Sequence, residues 1–258
     1  MSNGKRLNHA SSVCDYNPPL AADSTNGAYV GFNTDIVGLD GFVMPATQHD
    51  AVLWLSGSSY DVIFDTSRAA IAALAGLAAV AEETASWAYQ HDRDLTGFID
   101  GTENPTLIDA ADVALIPSGN SGEGGTILLL QKWIHDASAW EALAVDRQEQ
   151  IIGRRKLDSA ELEDRPDDSH VNSTDQDRFG KIFRRNMPFG TATDHGTMFV
   201  GFSADQERLS AMLASMAGVG DAEPDALTRF TRPITGAYYF VPSIGSIRRL
   251  AGASGSSS

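Results

Sequence analysis

The chain has 258 residues, 42% of them hydrophobic, and carries 34 acidic against 19 basic side chains for a formal charge of −15. That length buries a substantial core in one large domain or two closely packed halves, and the charge excludes a nucleic-acid partner, because gripping a phosphate backbone needs a basic surface. A single cysteine, Cys14, excludes an internal disulfide and a thiolate metal cluster within one chain.

No apolar run reaches membrane-spanning length, and the opening MSNGKRLNHASSV lacks the apolar core of a secretory signal, so no membrane partner and a cytoplasmic address are expected. Residues 1–27 are rich in Ser, Asn, Ala and Pro without a period and predict an irregular arm. Residues 29–32 and 51–55 predict strands, followed by a helix from about residue 60 to residue 77 with Ser58 or Ser59 as its cap, although 61–64 also reads as strand. Residues 126–130 predict a strand, and Trp140, Leu143, Ala144 and Ile151 then fall at helical spacing. Residues 198–202 predict another strand, Leu209, Met212, Leu213 and Met216 one face of a helix, and residues 238–241 a closing strand. Residues 251–258 read as a flexible Gly/Ser tail. Strands this near one another leave no room for a large parallel sheet, so the fold class is α+β: antiparallel sheets with helices packed on one face. A flat apolar cofactor has room between such a sheet and its helices.

Three segments carry the chemistry. GFIDGTENP, residues 97–105, holds Asp100 between the apolar pair Phe98-Ile99 and a turn opened by Gly101. A carboxylate against apolar neighbours has its pKa pushed towards values useful for proton transfer, although such loops are common and most do no chemistry. Six histidines are available as metal ligands, and His170 stands out because it follows Arg165-Pro166-Asp167-Asp168-Ser169, where a nearby carboxylate could take the Nδ1 proton and strengthen the ring as a donor. IFRRNMPFG, residues 182–190, sets Arg184, Arg185 and Asn186 among apolar side chains. It reads either as a surface arginine pair on a loop or as a guanidinium directed into an apolar pocket, where it could stabilise developing negative charge. Gly122-Glu123-Gly124-Gly125 leads into a strand rather than a helix and is no phosphate cradle, and no G-x-S-x-G elbow occurs.

Those three segments, with IIGRRK at 151–156 and TGAYYFVPS at 235–243, occur in the order and approximate spacing found in the B-type dye-decolourising peroxidases, which the chain resembles from about residue 29 to residue 250. The resemblance implies two ferredoxin-like halves, 28–105 and 106–250, with haem b in the second. It implies His170 as the proximal iron ligand, Asp100 as the distal carboxylate, Arg184 as the distal arginine and Asn186 as a distal amide. Arg154 then meets a haem propionate and Phe199 walls the distal pocket. The implied activity is a haem peroxidase that reduces hydrogen peroxide and oxidises dyes, phenolics or other one-electron donors through a ferryl species. The alternatives are a haem-handling protein of the same architecture and, last, a cofactor-free module. Electrons from bulky donors would arrive through surface relays, for which Trp54, Trp87, Trp133, Trp140, Tyr238 and Tyr239 are available, most of them also natural core residues. Relatives begin with an additional strand and helix, so the N-terminal half is expected to be shortened, and a homo-oligomer is expected to cover the edge this leaves. The physiological reductant, manganese oxidation and packaging in a protein shell stay open.

Overall fold

A computed structural model describes residues 12–15, 29–220 and 223–253. β1 (Ser12–Asp15) lies within the arm read as irregular, which is therefore corrected at those four positions; the rest of residues 1–28 lies outside the described residues. β2 (Ile36–Val37) and β3 (Val43–Met44) form a small antiparallel pair, and β4 (Ala51–Trp54) pairs with β1. α1 (Tyr60–Ala73) follows, then α2 (Ala110–Ala114). The C-terminal part runs β5 (Thr126–His135), α3 (Ala137–Glu141), α4 (Val145–Ile152), α5 (His170–Ser173), α6 (Gln176–Phe179), β6 (Phe183–Gly190) and β7 (His195–Ser203). It closes with α7 (Gln206–Ala217), β8 (Thr231–Pro233), β9 (Ala237–Val241) and α8 (Ile244–Ala253).

The main sheet has the order β4-β1-β9-β5-β7-β6, with β8 also on β5, and every pairing in it is antiparallel. β5 is central: its apolar run pairs with β7 along one side and with β9, then β8, along the other. Leu129 and Trp133 on β5 pack against Leu209, Met212 and Leu213 of α7, all buried. Burying each such leucine contributes about 1.5–3 kcal/mol. α7 starts where Asp205 accepts a hydrogen bond from the N–H of Glu207 (2.9 Å) and stops at left-handed Gly218, so both ends are fixed by local chemistry.

The α+β, antiparallel prediction holds, while several local readings change. Residues 29–32 are not a strand, because side chains replace the ladder: Val30 exchanges hydrogen bonds with the Gln206 amide (3.0 and 2.6 Å) and the N–H of Phe32 donates to Gln48 (2.8 Å). The segment around Arg184 is the strand β6, at the edge of the sheet. Its Pro188 is tolerated because a residue in phase with Arg184 and Asn186 points its backbone nitrogen away from β7. Residues 251–253, read as part of the tail, belong to α8, and residues 254–258 lie outside the described residues. Ser59 does precede α1, yet its hydroxyl binds the Asp61 carboxylate instead of a helix N–H.

Candidate active site

Alternation along β6 and β7 puts Arg184, Asn186, Thr197 and Phe199 on the same side of the sheet as Gln131, and α7 closes over them. The space between is a cavity of about 1170 Å³ counting its open mouth, lined by Asp100, Arg154, His170, Arg184, Asn186 and Phe199. All six residues predicted to act together thus face one cavity. Gly201 sits beneath the Phe199 ring, where an added Cβ would come within 2.9 Å of that ring, so a glycine keeps this wall flat.

On one side the loop 97–105 is locked onto β6. The carboxylate of Asp100 accepts hydrogen bonds from the backbone N–H (2.8 Å) and the side-chain amide (2.7 Å) of Asn186. Asn104 binds the main chain of Arg184 twice, accepting from its N–H (2.9 Å) and donating to its carbonyl (2.8 Å). The fold-back of Asn104 needs Gly101, whose φ is +73° and whose Cβ position lies 2.6 Å from the Asn104 amide. Burial raises the pKa of Asp100, opposed by the Asn186 bonds and the Arg184 charge. Burial likewise pushes the Arg184 guanidinium down, opposed by Asp100 and Glu103, and its Nε has no hydrogen-bond partner among the described residues. A buried donor left open in this way is costly and is suited to an anionic or peroxidic ligand.

Across the cavity, His170 opens α5 and its Nδ1 lies 2.6 Å from Asp225, whose side chain is fully buried. Asp225 therefore holds the proton on Nδ1 and leaves the Nε2 lone pair for a metal. The carboxylate comes from 55 residues away rather than from the Asp167-Asp168 pair beside the histidine. Asp168 pairs with Arg229 instead (3.1 Å), and its carbonyl accepts from the N–H of Ala226 (2.8 Å), which ties the two segments together. Arg154 stands at the cavity rim, bound to Glu103 and Glu161 and donating to the Ser159 carbonyl (2.9 Å).

Sequence reasoning passed over Asp225, Asn104, Asp94 and His135, all of which touch or support this cavity. Asp94 is deeply buried, its pKa raised first by that burial, and it accepts a hydrogen bond from the Thr96 N–H (2.8 Å). His135 ends β5 with Nε2 3.0 Å from the Thr197 hydroxyl, and burial, then His195, lower its pKa to about 4. The one local signal for Asp225 was its place before a short 3-10 turn, where it caps the N–H of Leu227 (2.9 Å).

Known proteins share the sequence and the fold of this chain. Residues 91–246 match the family described as Dyp-type peroxidase, C-terminal. The dye-decolorizing peroxidase of Mycolicibacterium paratuberculosis is 36% identical over 210 residues, 78% of this chain and 59% of that protein. That of Mycobacterium tuberculosis is 34% identical over 211 residues, 78% of this chain and 63% of that protein. The chain thus spans about three-fifths of the length of these curated relatives. Among solved structures, the dye-decolorizing protein from V. cholerae superposes with a TM-score of 0.80 at 35% identity over 90% of this chain and 80% of its own. DyPB from Rhodococcus jostii RHA1 gives 0.81 at 34% identity over 91% and 79%, and variants of it have been solved in complex with heme.

Proposed function

Because the chain belongs to the Dyp-type peroxidase family, and to its B-type branch, we propose that it holds haem b through His170 and reduces hydrogen peroxide with electrons from dyes, phenolics or other one-electron donors. One observation carries the reading: a histidine held by a buried aspartate faces, across a single cavity, an arginine with an open buried donor and an aspartate fixed by an amide. The residues fit the group. Nε2 of His170 is free among the described residues, Phe199, Leu209 and Met212 supply apolar walls, and Arg154 at the rim is a natural propionate partner. When bound, haem supplies an iron that takes up a peroxide oxygen and stores oxidising equivalents.

The side chains then divide the work. Asp100 accepts the peroxide proton, for which it must be ionised, and Asn186 holds its two oxygens in place. Arg184 stabilises the charge on the departing hydroxide, whether or not Asp100 has taken the proton. Asp225 keeps the imidazole in the tautomer that ligates. The test is an absorption spectrum of the purified protein before and after one equivalent of peroxide. A haem band that shifts within the mixing time supports the peroxidase; haem that only transfers to an acceptor protein supports a carrier; no retained haem after reconstitution overturns both.

Three coarser features complete the proposal. Residues 106–250 act as the haem-binding half, with 28–105 as its partner half delivering Asp100 across the boundary. The protein self-associates: α1 has no buried residue, and its Tyr60, Phe64 and Ile71, with Leu74 at its C-cap, leave an apolar stripe exposed. The cytoplasm is the proposed address, and no helix among the described residues is long and apolar enough to cross a membrane.

A further inference from the structure

A second pocket opens beside the cavity, between the turn joining β6 to β7, α3 and the end of β5. Four aromatic rings stand in its walls: Trp87, Tyr89, Trp140 and Phe230, of which Trp87 is exposed and Trp140 buried. Two imidazoles, His135 and His195, join three threonines and Glu141 as its polar groups, and the lining holds no lysine or arginine. Nδ1 of His195 lies 3.0 Å from the Thr191 carbonyl, which can only accept, so Nδ1 carries a hydrogen and Nε2 has no hydrogen-bond partner among the described residues. The pocket is not isolated. Thr96 and His135 line both spaces, and Trp140, donating to the Thr96 carbonyl (3.0 Å), packs edge-on against Phe98, a wall of the larger cavity, with ring centroids 6.3 Å apart.

We propose that this pocket binds a small neutral phenol, its ring against the indole and phenyl walls and its hydroxyl donating to Nε2 of His195. The flat apolar walls suit an aromatic ring, the open acceptor suits a hydroxyl donor, and the lack of a basic residue disfavours sulfonated or carboxylated donors. The proposal rests on the peroxidase reading for its use: each phenol gives one proton to His195 and one electron through the shared wall to the peroxide-oxidised haem, and leaves as a phenoxyl radical. Two phenols thus match one peroxide, and their two protons leave in the two waters formed.

Isothermal titration of guaiacol into the ferric protein without peroxide tests the site directly. Binding is expected in the wild type, weakened about five-fold or more by His195→Ala, as for a lost hydrogen bond, and similarly by Trp87→Ala. In turnover the KM for guaiacol rises by the same factor in both variants, while in His195→Ala the rate with one equivalent of peroxide and the kcat/KM for a sulfonated anthraquinone dye stay within about two-fold. Guaiacol binding that is absent up to about 10 mM, or unchanged in both variants, overturns the assignment. Should the protein retain no haem, the peroxidase reading fails by its spectrum, and guaiacol titration of the protein as purified, wild type against His195→Ala, still decides the pocket.

Discussion

Arg184 places a cation in a cavity where burial already works against its charge, so its stabilising contacts must come from anionic groups beside it or from the ligand it meets. Arg184→Ala is expected to slow the reaction with one equivalent of peroxide by about 100- to 1000-fold, the usual cost of a lost oxyanion donor, as read by stopped-flow absorbance. Asp100→Asn removes the base while keeping an acceptor for Asn186. The wild-type rate falls on acidification through a value above the ordinary carboxylate range, because burial raises Asp100 and its ionised form is the active one; the Asp100→Asn rate is lower and loses that fall. Asp225→Asn leaves a hydrogen-bond partner for His170 without the negative charge, so the iron potential is expected to rise, a change read by spectroelectrochemistry. His135 bears on stability instead. Its folded value of about 4 lies below the ordinary 6.5, so the unfolded chain binds the extra proton; the contribution is full above pH 6.5 and is lost as pH falls towards 4. His135→Gln is expected to flatten that part of the unfolding-midpoint profile.

At the scale of elements, regular apolar period made β5, β7, β9 and α7 legible, because each packs one side against the core. β6 escaped because its inward positions carry Arg184 and Asn186, polar groups that a cavity accepts and an ordinary core does not, and because Pro188 reads as a strand breaker. That Arg184 and Asn186 face an apolar cavity was nevertheless readable from their motif, while the carboxylate beside His170 was not: Asp225 meets His170 only through the tertiary fold, and no local spacing encodes a contact across 55 residues. α1 shows the reverse case, an element predicted by period whose apolar stripe faces outward. Phe64→Asp with Ile71→Asp is expected to lower the sedimenting mass of the protein without loss of helix, since neither side chain is buried within the chain.

The whole molecule is organised around one sheet to which the N-terminal strands β1 and β4 contribute at one margin and β6 at the other. The sequence indicated antiparallel sheets and a site spread over both parts of the chain, but the common sheet was invisible to it, because strand partners are chosen by long-range packing rather than by local period. The margin formed by β6 would ordinarily be a template for strands of other molecules. Here Asp100 and Asn104 take up its outward N–H groups at residues 184 and 186, and Asn104 fills the carbonyl between them. The side chains of a loop thus act as a false neighbouring strand, and the acid proposed for chemistry doubles as a guard against aggregation. Asp100→Ala would bare the Asn186 amide and is expected to lower soluble yield along with turnover, whereas Asp100→Asn spares the yield; the two losses, inseparable in one variant, come apart in the other.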